Sequence, residues 1–112
     1  GGWRVPLTAS LQTVDLVQAL QLPTVLVCGI RLGCINHSLL SAEAICADGV
    51  TLLGWIANVV DPAYDYQEES IATLAKCMPA PLLSEIPWQA SPETNKIDES
   101  LDASIEVLWP EA

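Results

Sequence analysis

The sequence predicts an α/β fold in which a parallel sheet is flanked by helices. Short apolar runs alternate along the chain with segments whose apolar residues recur at helical spacing. The first run, residues 24–28, is continuous and rich in β-branched residues, which is typical of a parallel strand covered on both faces. Proline or glycine separates the segments. Such alternation predicts one sheet with right-handed crossovers.

The first half of the chain predicts a helix, a strand and a second helix. Apolar residues at helical spacing predict a helix over residues 11–20, and Pro23 separates it from the strand at 24–28. Residues 29–33 begin and end with glycine and are predicted to form a turn. The next helix is predicted from Ile35 to near Gly49.

The second half predicts two strands and two helices. A mostly apolar strand over residues 51–60 ends at Asp61-Pro62, and a short third strand covers residues 82–87. The helix between them, residues 66–77, has acidic residues in its first turn, where the helix dipole favours them. Its expected buried stripe is Ile71, Leu74 and Ala75, and a last helix with Leu101, Ile105 and Leu108 is predicted over residues 97–108.

Length and composition predict part of one folded α/β domain. The chain has 112 residues, of which 51% are hydrophobic, whereas disordered chains are poor in hydrophobic residues. Three short strands make a narrow sheet, so residues 1–112 are interpreted as the C-terminal half of a larger α/β domain. The net charge of −10 argues against nucleic acid and anionic membranes as partners. The apolar runs are too short for a membrane helix.

The four cysteines predict neither a zinc site nor disulfides. They form no C-x-x-C pair, and His37 is the single histidine. Cys28 lies in an apolar run and Cys46 on a predicted helix, so both are expected to be small buried hydrophobic residues. Reduced thiols are therefore expected, as is usual in the cytoplasm.

The start of the second helix is a candidate anion site. The backbone amides of Gly33, Cys34, Ile35 and Asn36 follow a strand and a glycine turn, and free amides at a helix start attract negative charge. Arg31 adds a cation nearby. The alternative is an ordinary strand–helix connection with an Asn cap. Neither G-x-G-x-x-G nor a phosphate-loop motif occurs, so these residues alone cannot hold a triphosphate.

Three further side chains are candidates, each with a structural alternative. His37 is a possible base, although a lone histidine one turn into a helix is more often structural. Asn58 lies near the end of a strand, where open sheets bind ligands, and its amide suits the edge of a purine, but it is also a common turn former. Ile86-Pro87-Trp88 closes the third strand with a rigid turn and a flat ring, the alternative being a core tryptophan.

Taken together, five segments resemble the dethiobiotin synthetase family. The longest runs from Gly29 to His37 and contains L-G-C-I-N-H, which is specific, whereas each other segment alone is weak. The resemblance extends in register from residue 1 to about residue 93. The other four segments are residues 1–7, 22–27, 54–58 and 80–88.

The resemblance implies a P-loop NTPase-like fold and a homodimeric enzyme that requires ATP and Mg2+. It implies that CO2 and 7,8-diaminopelargonate form a carbamate, that ATP phosphorylates it, and that the second amine closes the ring. The phosphate loop, the catalytic lysines and most magnesium ligands would lie in an N-terminal half that this chain lacks. No catalytic residue or metal ligand is therefore assigned within this chain, and the chain alone is expected to be inactive. The enzyme is expected to be cytoplasmic.

The resemblance also implies binding roles for particular residues. Gly33, Cys34, Ile35 and Asn36 would bind the substrate carboxylate, reached from the partner subunit. Asn58 would recognise adenine, and Gly1 would belong to a glycine segment at the nucleotide. The remaining residues expected beside the nucleotide are Ile86, Pro87, Trp88 and Glu93.

Two other interpretations remain open. One is a non-enzymatic dimerisation or carboxylate-binding module of the same fold. The other is part of a ParA-type partitioning ATPase, which shares the fold but is disfavoured by the L-G-C-I-N-H segment and the scarcity of cations.

Overall fold

A computed structural model of the chain describes residues 2–91 and residue 101. The helix predicted over residues 97–108 lies outside the described residues except for Leu101, as do the candidate residues Gly1 and Glu93. The described elements alternate as predicted. They are α1 (Thr13–Leu20), β1 (Thr24–Ile30), α2 (Cys34–Ala47), β2 (Leu52–Val59), α3 (Gln67–Cys77) and β3 (Leu82–Ile86).

The three strands form one parallel sheet in the order β1-β2-β3. Both crossovers step in the same direction across the sheet, so right-handed connections place α2 and α3 on the same face. Both helices contact β1, and they also contact each other. The prediction that the first strand is covered on both faces is therefore wrong for the described residues. Val27, which points away from these helices, is 56% exposed.

The main core lies between the sheet and its two helices. Trp55, Ile30 and Leu74 are fully buried there, contributed by β2, β1 and α3. Each buried side chain of this size stabilises the fold by about 1.5–3 kcal/mol relative to leaving it exposed. The buried residues of α3 are Ser70 and Leu74, and Met78, which follows the helix, continues their four-residue spacing. Of the predicted stripe, Leu74 is buried and Ile71 is partly buried against the core, whereas Ala75 is exposed, because this spacing keeps one side of the helix against the sheet.

Two local predictions fail for identifiable reasons. Gly29 and Ile30 continue β1 instead of forming a turn, because both pair with β2 and Ile30 is buried against the helices. Cys28 is buried as expected, but Cys46 is exposed. The buried positions of α2 include Ala42 and Ile45, and Cys46 follows them on the outer side of the helix.

A second, smaller core joins α1 to α2. Trp3, Val14 and Ile45 form it, so a residue near the start of the described chain packs against both helices. The start of α1 is fixed by a capping box in which the backbone amide of Gln12 donates to the Asp15 carboxylate at 2.6 Å. No described helix has the length and apolar character needed to cross a membrane.

Candidate functional site

Three strand residues form a row across the carboxyl end of the sheet. Asn58 on β2 lies in register with Gly29 on β1 and with Ile86 on β3. Asn58 is therefore part of a strand, and its alternative interpretation as a turn former is wrong. Ligands of open parallel sheets bind beyond the carboxyl ends of the strands, so this row marks the expected position of a ligand.

Beyond this row the structure brings together the residues expected at a nucleotide base. Asn58, Ile86, Pro87 and Trp88 line one cavity of about 190 Å3. Trp88 is 49% exposed, so it is not a core tryptophan. The Asn58 side chain presents a donor and an acceptor, and the Trp88 ring offers a flat apolar surface. This combination can hydrogen-bond the edge of a heterocyclic base and contact its face.

The start of α2 is held by its backbone alone. Gly33 is the N-cap with a φ of 87°, and no side chain caps this end, so the expected alternative of an Asn cap is wrong. Within residues 2–91 the amides of Gly33, Ile35 and Asn36 have no acceptor. The Cys34 amide, expected to be free, donates to the Arg31 carbonyl at 3.0 Å. Three amides at the positive end of a helix dipole therefore remain open to an anion.

The two candidate sites are near the same edge of the sheet but do not share a cavity. Ala57 packs into the core on the side of α2 and α3, so the neighbouring Asn58 side chain points to the opposite face. The cavity at Asn58 has no lining residue from 33–36. The cavity at Asn58 and the start of α2 are thus separate surfaces of the chain.

A larger groove of about 400 Å3 lies along β1 and α2. His37 is exposed and lines it together with Cys28 and Ser38, whereas Arg31 is exposed in the turn before α2. Burial raises the pKa of the Cys28 thiol, a hydrogen bond with Ser38 opposes this, and nearby Cys34 adds to the rise. Cys28 is therefore a protonated, buried thiol at neutral pH, with the character of a packing residue and not of a nucleophile.

The described part of the chain offers no metal centre. No three His, Cys, Asp or Glu side chains are grouped there in a way that could hold an ion. The two candidate surfaces of the described part offer amide groups and one aromatic ring.

A feature that the sequence analysis missed is a junction at the C-terminal end of α2. The Trp3 indole donates to the Asp48 carboxylate at 2.6 Å, and Arg4 contacts the same carboxylate at 2.8 Å. These hydrogen bonds hold the pKa of Asp48 below its usual range, the Trp3 bond having the largest effect and Arg4 a smaller one. The partners are 44 and 45 residues apart, so no local pattern could have indicated the contact.

Comparison with known proteins gives consistent matches. A family model described as an AAA domain matches residues 1–95. The chain is 61% identical over 87 residues to the ATP-dependent dethiobiotin synthetase BioD of Pseudomonas aeruginosa, a match that covers 78% of the chain and 38% of the relative. Proteins of the same name from Pseudomonas paraeruginosa and Xanthomonas oryzae are each 54% identical, over 91% and 83% of the chain and 45% and 42% of the relatives. The chain thus spans less than half the length of these curated relatives.

Proposed function

The chain belongs to the protein family described as an AAA domain, and from this membership and its similarity to dethiobiotin synthetases we propose that it is a portion of such an enzyme. In this proposal residues 1–112 correspond to the C-terminal part of one α/β domain. The whole enzyme uses ATP and CO2 to convert 7,8-diaminopelargonate to dethiobiotin in the cytoplasm. The observation that carries the proposal is that Asn58, Ile86, Pro87 and Trp88, to which the resemblance gives a role at the nucleotide, line one cavity at the carboxyl end of the sheet.

The role proposed for this cavity is recognition of the adenine base. The Asn58 amide donates to and accepts from the base edge, while Pro87 and Trp88 limit the space beside the ring. The cavity of about 190 Å3 has room for a planar base. Gly1 and Glu93 belong to this proposed nucleotide site.

The role proposed for the start of α2 is binding of the substrate carboxylate. The open amides of Ile35 and Asn36 donate to the carboxylate, with Gly33 and Cys34 shaping the turn before them. This surface is separate from the base cavity, and in the proposal it binds a substrate that is held mainly by the partner subunit of a homodimer. The described residues bind and orient, and Mg2+ ligands and catalytic groups come from elsewhere in the enzyme.

A chimera tests the proposal directly. In it, this chain replaces the matching residues of the Pseudomonas aeruginosa relative, and dethiobiotin formation is measured with diaminopelargonate, CO2, ATP and Mg2+. We expect turnover by the chimera and none by the 112-residue chain alone. A folded, dimeric chimera without turnover would refute the assignment and leave the non-enzymatic binding module as the better explanation.

Two matched substitutions in the chimera separate the proposed sites. Asn58→Asp removes the side-chain donor, and because an unpaired polar group costs about 1–3 kcal/mol we expect the ATP affinity to fall by about 5- to 150-fold. Asn36→Asp places a negative charge at the proposed carboxylate site, so it should weaken diaminopelargonate binding and leave ATP binding unchanged. Isothermal titration with each ligand distinguishes the two, and equal effects of both variants on both ligands would contradict the assignment.

A further inference from the structure

Three segments converge on Asp48, the residue that ends α2. Its carboxylate accepts hydrogen bonds from the Trp3 indole at 2.6 Å and from Arg4 at 3.1 Å, and Arg4 also forms an ion pair with it at 2.8 Å. Its backbone carbonyl accepts a hydrogen bond from the Gln18 side chain of α1 at 2.8 Å. The residues near the start of the described chain are therefore fixed to both helices through one residue.

An acidic residue is a poor choice for this position on helical grounds alone. The C-terminal end of a helix carries a partial negative charge, which disfavours a carboxylate there. Asp48 also has a φ of −80°, so it does not provide the left-handed geometry that commonly ends a helix. The carboxylate is explained by its partners, because Arg4 compensates its charge and Trp3 satisfies one of its oxygens.

The junction fixes the backbone immediately after Gly2. Trp3 is 8% exposed and packs against Val14 and Ile45, while the Val5 carbonyl accepts a hydrogen bond from the Thr13 amide at 2.9 Å. Residues 3–5 are thus held at both ends. Gly2 is therefore joined directly to a fixed segment.

Gly2 itself adopts a conformation that favours glycine. Its φ is 138°, and a Cβ atom there would lie 3.3 Å from a methyl group of Val5. Gly2 lines a cavity together with His37, which lies in the first turn of α2, and Ser41, which lies near its middle. The segment therefore runs along α2 from its junction at Asp48 toward the end of the helix where the candidate carboxylate site lies.

We propose that Asp48 is a positioning residue, which holds Gly2 against α2 by fixing Trp3 and Arg4. The inference rests on the proposed function, in which Gly1 belongs to the nucleotide site. Asp48 does not touch the nucleotide in this role. It acts through the segment that carries the glycines, and displacement of that segment by about 1 Å can reduce a rate by about 100-fold.

The test uses the chimera with Asp48→Asn, which keeps the size of the side chain but removes its charge. We expect kcat/KM for ATP to fall by about 10- to 100-fold, while the KM for diaminopelargonate is unchanged. The matched control is Tyr64→Phe, which removes a hydrogen bond of 2.9 Å between the segment after β2 and Ser70 of α3 and does not touch the Asp48 junction. A similar loss of activity in both variants would show a merely structural role and overturn the proposal, as would full activity of Asp48→Asn.

A double variant and an exchange measurement make the test independent of overall stability. Trp3→Phe keeps an aromatic ring but removes the indole donor, so the double variant with Asp48→Asn should lose less activity than the sum of the two single variants. Amide hydrogen exchange of Thr13, whose amide donates to the Val5 carbonyl of the docked segment at 2.9 Å, can be measured in the chimera without turnover. Exchange should be at least about tenfold faster in Asp48→Asn and unchanged in Tyr64→Phe. Unchanged exchange in both would refute the positioning role, whereas an inactive parent chimera with these exchange results would refute only the enzymatic assignment.

Discussion

The two ends of α2 are built in opposite ways. At its start, Gly33 provides the cap without a side-chain hydrogen bond, three amides have no acceptor among the described residues, and the preceding Leu32 is 83% exposed. At its other end, Asp48 is bound by an indole, a guanidinium and the side chain of Gln18. The first is the open end of α2 and the second its anchored end.

The difference shows how one helix serves both the fold and a binding site. Backbone groups that are satisfied within the protein stabilise it but are no longer available to a ligand. The anchored end uses its polar groups for structure, whereas the open end leaves donors for a ligand. The predictions below test whether stability and binding divide between the two ends in this way.

The largest effect is expected from a core residue near the anchored end. Ile45 is 1% exposed, and Ile45→Ala should lower the free energy of unfolding by about 2–5 kcal/mol through lost burial and a cavity. Leu32→Ala at the open end should change it by less than about 0.5 kcal/mol. Urea unfolding of both variants measures the difference, and comparable losses would show that the open end is also structural.

Substitution of the two glycines that flank α2 should have equal effects on stability and unequal effects on binding. Gly33 and Gly49 have φ values of 87° and 75°, and a Cβ atom added at either position would meet no other atom within 4 Å. Gly33→Ala and Gly49→Ala should therefore each cost about 1–2 kcal/mol from backbone strain alone. Only Gly33→Ala should weaken diaminopelargonate binding by the chimera. Weaker binding in Gly49→Ala would break the division between the ends.

Asp48→Asn should make the stability of the chain less dependent on acid pH. The Trp3 and Arg4 hydrogen bonds lower the pKa of Asp48 in the folded state, so the stabilisation is complete above its unfolded pKa of about 3.9. It is lost as the pH falls through the lower folded pKa. The difference between the wild-type chain and Asp48→Asn in urea unfolding should be constant near pH 7 and shrink below about pH 4. A difference independent of pH would show that the carboxylate charge contributes nothing.

Thiol labelling should give the smallest and most local contrast. Cys34 at the open end is buried, as is Cys28, whereas Cys46 near the anchored end and Cys77 are exposed. With Ellman's reagent, two thiols should react rapidly in the folded chain and the other two only on unfolding, because burial protects the thiol and raises the pKa of Cys28. Rapid reaction of Cys34 would mean that the open end of α2 frays.

The sequence predicts most of this fold because its elements have strong local patterns. The β-branched run that begins at Thr24 and the helical spacing of Leu74 place β1 and α3 correctly. The errors arise where tertiary pairing decides. Gly29 suggests a turn, but pairing with Asn58 extends the strand. The exposure of Cys46 follows from the phase of the helix, and counting positions from Ala42 and Ile45 would have predicted it.

The candidate site is predictable only in part. Asn58 and Trp88 stand out in the sequence by their places near strand ends and by a family resemblance, and the structure brings them into one cavity. The separation of this cavity from the start of α2 depends on which face of the sheet Asn58 occupies. The Trp3–Asp48 contact joins residues 45 positions apart, and no local pattern encodes such a pair.

That long separation has a consequence for the order of folding. The contact closes a chain segment containing α1, β1 and α2, and closure of longer segments costs more conformational entropy. The neighbouring strand–helix units close shorter segments, so we expect them to form first and the Trp3 segment to dock after the transition state. Asp48→Asn should therefore accelerate unfolding while leaving the refolding rate nearly unchanged in stopped-flow experiments. The junction would then act mainly by slowing the opening of the native chain.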